Sequence, residues 1–189
     1  MTEAHPLAII IGSTREGRFG LQVASWFQHL ARDHGAFSVD VIDLADADLP
    51  VILTRDSTPA LDAYRHRLDR ADAFVVITPE YNHGYPAPLK QAIDLAHREW
   101  QAKPVAFVSY GGLAGGLRAV EQLRPVFAEL HATTIRDVVS LHNPWSLFDE
   151  DPRMDETTVL KAAAKTMLDR LAWWTAALSS ARHASPYAA

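Results

Sequence analysis

Leu7-Ala8-Ile9-Ile10-Ile11-Gly12-Ser13-Thr14-Arg15-Glu16-Gly17-Arg18-Phe19-Gly20 reads as a buried strand, a glycine-punctuated turn and the opening of a helix. The five apolar residues at its start run without alternation, as strands covered on both faces do. The helix that follows is marked by Val23, Phe27 and Leu30, with Ala24 and Ala31 widening the apolar face. Working outward, further strand-like runs are expected at Val39–Leu44, Ala73–Thr78, Val105–Ser109 and Thr134–Ser140. Helical stripes separate them: Leu89, Ile93 and Leu95; then Leu117, Val120, Leu123, Phe127 and Leu130; and last Leu160, Ala164, Met167, Leu171, Trp174 and Leu178. That last stripe reads as a core face or a subunit contact, with Lys161, Lys165 and Asp169 off it. Pro59 to Arg70 is polar and is the weakest helix. Strict alternation predicts a three-layer α/β sandwich on a parallel sheet. Right-handed crossovers leave two leading strand orders, 2-1-3-4-5 and a truncated dinucleotide-binding order.

The chain has 189 residues, 48% hydrophobic and 22% charged, which suits a single domain. It has no cysteine, which excludes disulfides, thiolate catalysis and Cys-ligated metals, and fits a reducing cytoplasm. The formal charge of -5 gives no hint of a nucleic-acid footprint. Met1 to Pro6 lacks a positive leader, and no uncharged apolar stretch approaches the ~18 residues of a membrane helix. Asp149-Glu150-Asp151 reads as a solvated turn, and the chain after about Ala181 as a loose tail.

In a parallel sheet the loops after the strands open on one edge, where ligands bind. Three of them carry unusual chemistry. In the first, Gly12 to Gly20, hydroxyls of Ser13 and Thr14, charges of Arg15 and Arg18 and a helix N-terminus together suit a phosphate. It is not a Walker A loop, since Arg18-Phe19 stands where Lys and Ser or Thr belong. The second, Thr78-Pro79-Glu80-Tyr81-Asn82-His83-Gly84-Tyr85-Pro86-Ala87-Pro88-Leu89-Lys90, is stiffened by three prolines and carries two tyrosines that could floor a flat ring. Pro86 or Pro88 is expected to start the next helix, and His83 to be a turn residue. The third, Ser109-Tyr110-Gly111-Gly112-Leu113-Ala114-Gly115-Gly116, implies close approach of its backbone to a neighbouring chain segment or a ligand. Pro125 should disturb the helix beyond it.

The nine histidines show no zinc spacing, and Gly-x-Ser-x-Gly is absent. Asp43 and Asp46 read as solvated loop carboxylates. A cradle for a phosphate and a ring, without an acid–base pair, points to chemistry borrowed from a cofactor.

At these residues the chain resembles the NAD(P)H-dependent FMN reductase family, the flavodoxin-like group that includes quinone, azo and chromate reductases. Gly12 to Arg18, Pro79 to Asp94 and Ser109 to Arg118 carry the resemblance, in order, within residues 6 to 180. It implies a flavodoxin-like fold in the order 2-1-3-4-5. It also implies that Ser13, Thr14, Arg15, Arg18, Phe19 and Gly20 surround the FMN phosphate. Pro79, Glu80, Tyr81, Asn82 and Gly84 would flank one side of the ring, and Ser109, Tyr110, Gly111 and Gly112 the other. NADPH or NADH would be the electron donor and a quinone, free flavin, azo compound or metal oxyanion the acceptor. No metal is implied, the chemistry resting on the flavin, and a homodimer or homotetramer is expected. A flavodoxin-like electron carrier and a non-catalytic interaction module are the competing readings on the same fold.

Overall fold

A computed structural model describes residues 4–53, 56–146, 148 and 154–187. Five strands alternate with five helices: β1 His5–Ile11, α1 Gly20–His34, β2 Phe37–Asp43, α2 Pro59–Arg70, β3 Ala73–Pro79, α3 Ala87–Asp94, β4 Pro104–Gly111, α4 Leu117–Glu129, β5 Thr133–His142 and α5 Met154–Ala184. All pairings are parallel and the sheet order is β2-β1-β3-β4-β5. This is the flavodoxin-like order, and it removes the dinucleotide-binding alternative. The acidic turn expected at 149–151 lies outside the described residues.

Successive strand residues point to opposite faces, so each continuous apolar run feeds two cores at once. Ala8, Ile10, Phe74, Val76, Val105 and Phe107 face α2, α3 and α4, with Trp100 in the same cluster. Leu7, Ile9, Ile11, Val75, Ile77 and Val108 face α1 and α5. Trp100 is fully buried, and its ring meets Phe74 edge-on at 4.6 Å. Its indole N–H donates to the Ile93 carbonyl, so the burial leaves no polar atom unmet.

The polar segment 59–70 is a full helix. Thr58 accepts from the Leu61 amide, Pro59 occupies the first turn, and Leu61, Tyr64 and Leu68 alone supply a buried stripe. On α5 the stripe departs from expectation at its end. Ala164, Met167, Leu168 and Leu171 are buried, and Thr175 continues the line while Trp174 turns out, 36% exposed. The i+4 step from Leu171 leads to 175 rather than 174, and the Thr175 hydroxyl is satisfied by the Leu171 carbonyl at 2.6 Å.

The tail is held further along than expected. Arg182 donates to the Ala102 carbonyl at 2.6 Å and to Asp72 at 2.5 Å. Tyr187 meets His131 Nδ1 at 2.8 Å. Asp72, Ala102 and His131 all precede a strand, so these contacts fasten the edge of the sheet opposite the three loops.

Beside them Lys103 is buried, its ammonium donating to the Leu68 and Asp69 carbonyls at 3.0 and 2.9 Å. Burial, aided by Arg182, pushes its pKa down to about 8 from 10.5. Between those two values the folded chain is neutral at Lys103 while the unfolded chain still holds the proton. Stability therefore rises with pH from about 8 to about 10.5, and the full cost of the buried charge is present below 8. Urea denaturation of wild type and Lys103→Met across that range should show their difference growing in favour of wild type. A difference independent of pH would refute the assignment.

Candidate functional site

The strand ends are level: Ile11 lies beside Asp43 and Ile77, and Thr78 beside Ser109. The loops after β1, β3 and β4 therefore leave one edge together. Ser13 joins them. Its buried hydroxyl lies 2.7 Å from the Tyr81 hydroxyl of the second loop. Burial pushes up the pKa of the Tyr110 hydroxyl of the third loop, and Ser13 draws it back. Tyr110 packs into the α1 face of the core, and its hydroxyl reaches the first turn of α1, where a Cβ on Gly20 would stand 2.7 Å from it.

The first loop keeps one arginine and gives up the other. Arg18 forms a bidentate pair with Asp43 at 2.5 and 2.6 Å and donates to the Ser13 carbonyl at 2.7 Å. The hydrogen bonds with Asp43 raise its pKa, and both side chains are mostly covered. Arg18 thus braces the turn from below, its charge already met by Asp43. Asp43 is no solvated loop carboxylate, and it accepts from the Ala45 amide as well. Arg15 is exposed. No side chain caps α1, whose first turn carries no acid. Phe19, at the cap position, packs on Tyr110 and Phe148 at 6.3 and 5.5 Å, a structural place rather than a polar one.

In the second loop Tyr81 and Gly84 pair through both backbone bonds at 2.9 and 3.1 Å, closing a tight turn over Asn82 and His83. Both turn residues have positive φ, 49° and 74°, the conformation their side chains suggested. Gln122 of α4 donates to the His83 carbonyl at 2.7 Å and fixes the turn from outside. Pro86 caps α3 and Pro88 lies in its first turn. Tyr85 packs against the core. The Glu80 carboxylate turns away to Arg118, at 3.0 Å, and to the Arg118 amide.

The third loop is closed by its own chain. Gly116 has φ 83°, and a Cβ there would stand 2.7 Å from both Ser109 Cβ and the Tyr110 amide nitrogen. The Ser109 hydroxyl is buried and donates inward to the Gly115 carbonyl at 2.8 Å, so it does not line the open edge. Gly112 is exposed, and Gly111 partly so. Ser140 and His142, which sequence reasoning passed over, and Asp43, which it read as solvated, hold these loops from neighbouring strands.

The donor set fits a phosphorylated ring compound. An uncapped helix N-terminus beside an exposed arginine offers amide donors and one unspent charge. Tyr81 and the side-chain-free Gly111 and Gly112 leave the same edge, where Pro79 lies beside Tyr110. A cavity of about 460 Å³ borders Thr14 on the side of Leu44, Leu49 and α3. Among the described residues no group of three or more metal-binding side chains occurs, and no helix is long and apolar enough to cross a membrane.

The chain is similar to known proteins in sequence and in fold. Residues 6–146 match the family described as NADPH-dependent FMN reductase. Over 122 residues the chain is 35% identical to an NAD(P)H-dependent FMN reductase of Schizosaccharomyces pombe, covering 58% of this chain and 60% of that protein. It is 30% identical over 165 residues to an NAD(P)H:quinone oxidoreductase of Solanum tuberosum, covering 82% and 81%. In fold it is similar to the flavoenzyme NAD(P)H:(acceptor) oxidoreductase FerB of Paracoccus denitrificans, with a TM-score of 0.73 at 23% identity over 91% of this chain and 97% of that one.

Proposed function

Since the chain belongs to the NADPH-dependent FMN reductase family, we propose that it is an FMN-dependent oxidoreductase that takes electrons from NADPH or NADH and passes them to a small acceptor such as a quinone. One observation carries this reading: the α1 N-terminus lacks a side-chain cap while Arg15 stands exposed beside it, next to a loop braced by the Arg18–Asp43 pair. FMN, when bound, supplies the hydride chemistry, which explains why the three loops need no acid–base pair of their own.

The chain's part is to hold and to exclude. Ser13, Thr14, Arg15 and the amides at Gly20 would hold the phosphate. The backbone of Pro79, Glu80, Asn82 and Gly84, with Tyr81, would wall one side of the ring, and Gly111 and Gly112 the other. Arg18, Phe19, Ser109, Tyr110 and the Glu80 carboxylate are assigned to positioning these groups, because each is already engaged within the fold. Backbone donors from the glycine turn are suited to the negative charge that builds on the ring. We also place the protein in the cytoplasm as a homo-oligomer. The cysteine-free composition supports the first, and the exposed Trp173, at 65%, supports the second.

The test is an absorbance spectrum of the purified protein with FMN, followed by anaerobic NADPH. A perturbed flavin spectrum that bleaches on NADPH addition is the expected result. Binding without bleaching would reduce the protein to a carrier, and no spectral change would remove the flavin assignment altogether.

A further inference from the structure

The glycine turn after β4 is tied down by a strand that takes no part in the three loops. The Gly115 carbonyl accepts two hydroxyls, Ser109 Oγ at 2.8 Å and Ser140 Oγ at 2.9 Å. His142 Nδ1 lies 3.0 Å from the Leu113 carbonyl, and its Nε2 lies 3.3 Å from Ser140 Oγ. A carbonyl can only accept, so Nδ1 carries the hydrogen and donates it. The ring is thereby oriented by the turn it holds.

Space as well as hydrogen bonding shapes this clamp. Gly115 has φ 57°, and a Cβ there would collide with Ser140 Oγ and stand 2.6 Å from His142 Nε2. The two β5 side chains fill the volume a larger residue would need. Leu113, at the tip, is 91% exposed, so little apolar packing holds the turn in its place. Hydrogen bonds must do so: the Asn143 amide, just past β5, donates to the Gly111 carbonyl at 2.8 Å, and Ser140 and His142 of β5 supply the side-chain share from that strand.

We infer that Ser140 and His142 are positioning residues that hold the Gly111–Gly116 turn in the shape that walls the FMN crevice. The inference rests on the assignment of Gly111 and Gly112 to that wall. Neither residue is assigned any contact with the cofactor. They act through the Leu113 and Gly115 carbonyls, and so on the amides presented by the glycines between β4 and α4.

The experiment compares His142→Ala, His142→Asn, His142→Gln and Ser140→Ala. Amide hydrogen exchange is read on the protein without FMN, and FMN affinity by fluorescence titration. Asparagine places an amide N–H near the position of Nδ1, whereas glutamine reaches toward that of Nε2. His142→Ala and Ser140→Ala should speed exchange at residues 112–117 and weaken FMN binding about tenfold, the upper scale of one lost hydrogen bond. His142→Asn should restore both, and His142→Gln should not.

Unchanged exchange in the turn would overturn the inference, because glycine geometry alone would then suffice. Faster exchange throughout β5 and α4 with a lower thermal midpoint would also overturn it, as the mark of a merely structural role. A loosened turn with unchanged FMN affinity would sever the clamp from the crevice. Failure of the wild type to bind FMN would instead count against the proposed function, since the exchange result needs no cofactor.

Discussion

Asp43→Ala should cost about 3 kcal/mol of folding stability, the range seen when one member of a largely covered ion pair is removed. The reason lies in what remains. Arg18 would keep its place under the first loop with its bond to the Ser13 carbonyl, but its charge would lose its paired carboxylate and keep only the unbonded Asp46. Asp43→Asn retains an acceptor for the guanidinium and for the Ala45 amide and should lose about half as much. Urea denaturation of the two variants against wild type measures both values. Equal stability of all three would show that solvent already screens the pair and that the turn stands without its brace.

Arg15→Ala should weaken FMN binding by roughly 2 kcal/mol, about thirtyfold, through loss of a charge-assisted contact with phosphate. Riboflavin lacks the phosphate and supplies the control. It should bind wild type far more weakly than FMN and be indifferent to the substitution. The separation from Arg18 matters here: Arg15 is exposed, whereas Arg18 is spent on Asp43. An FMN affinity unmoved by Arg15→Ala, or a parallel fall for riboflavin, would take the phosphate away from the first loop.

The layers of the fold were legible because its strands are covered on both faces. Runs such as Phe74-Val75-Val76-Ile77 leave few other readings, and the intervening stripes have helical spacing. Strand order was narrowed to two by those patterns, and the family resemblance pointed to the one observed. What escaped was pairwise. Asp43 and Arg18 are 25 residues apart and meet because β1 and β2 end level, Ile11 beside Asp43. A reader scanning local sequence sees a loop carboxylate and a loop arginine.

The β5 clamp was hidden more deeply. Counting on from the Val105–Thr134 pair would set Ser109 beside Val138. The register shifts between Val105 and Phe107, and Ser109 instead lies beside Ser140. Local patterning carries no sign of such a shift, so the meeting of two serine hydroxyls on one carbonyl could not be foreseen. Tyr110 escaped for a different reason. It alternates with Ser109 along β4, and its neighbours did not reveal that its ring would enter the core while its hydroxyl reached the first turn of α1.

The fastening of α5 to the rim where the strands begin has a practical consequence. Tyr187, half exposed, marks the side of the molecule turned away from the three loops. An electrode, bead or fluorophore tethered there would leave the crevice facing the bulk solution, so electrons could be delivered or collected without the anchor standing in the substrate's path.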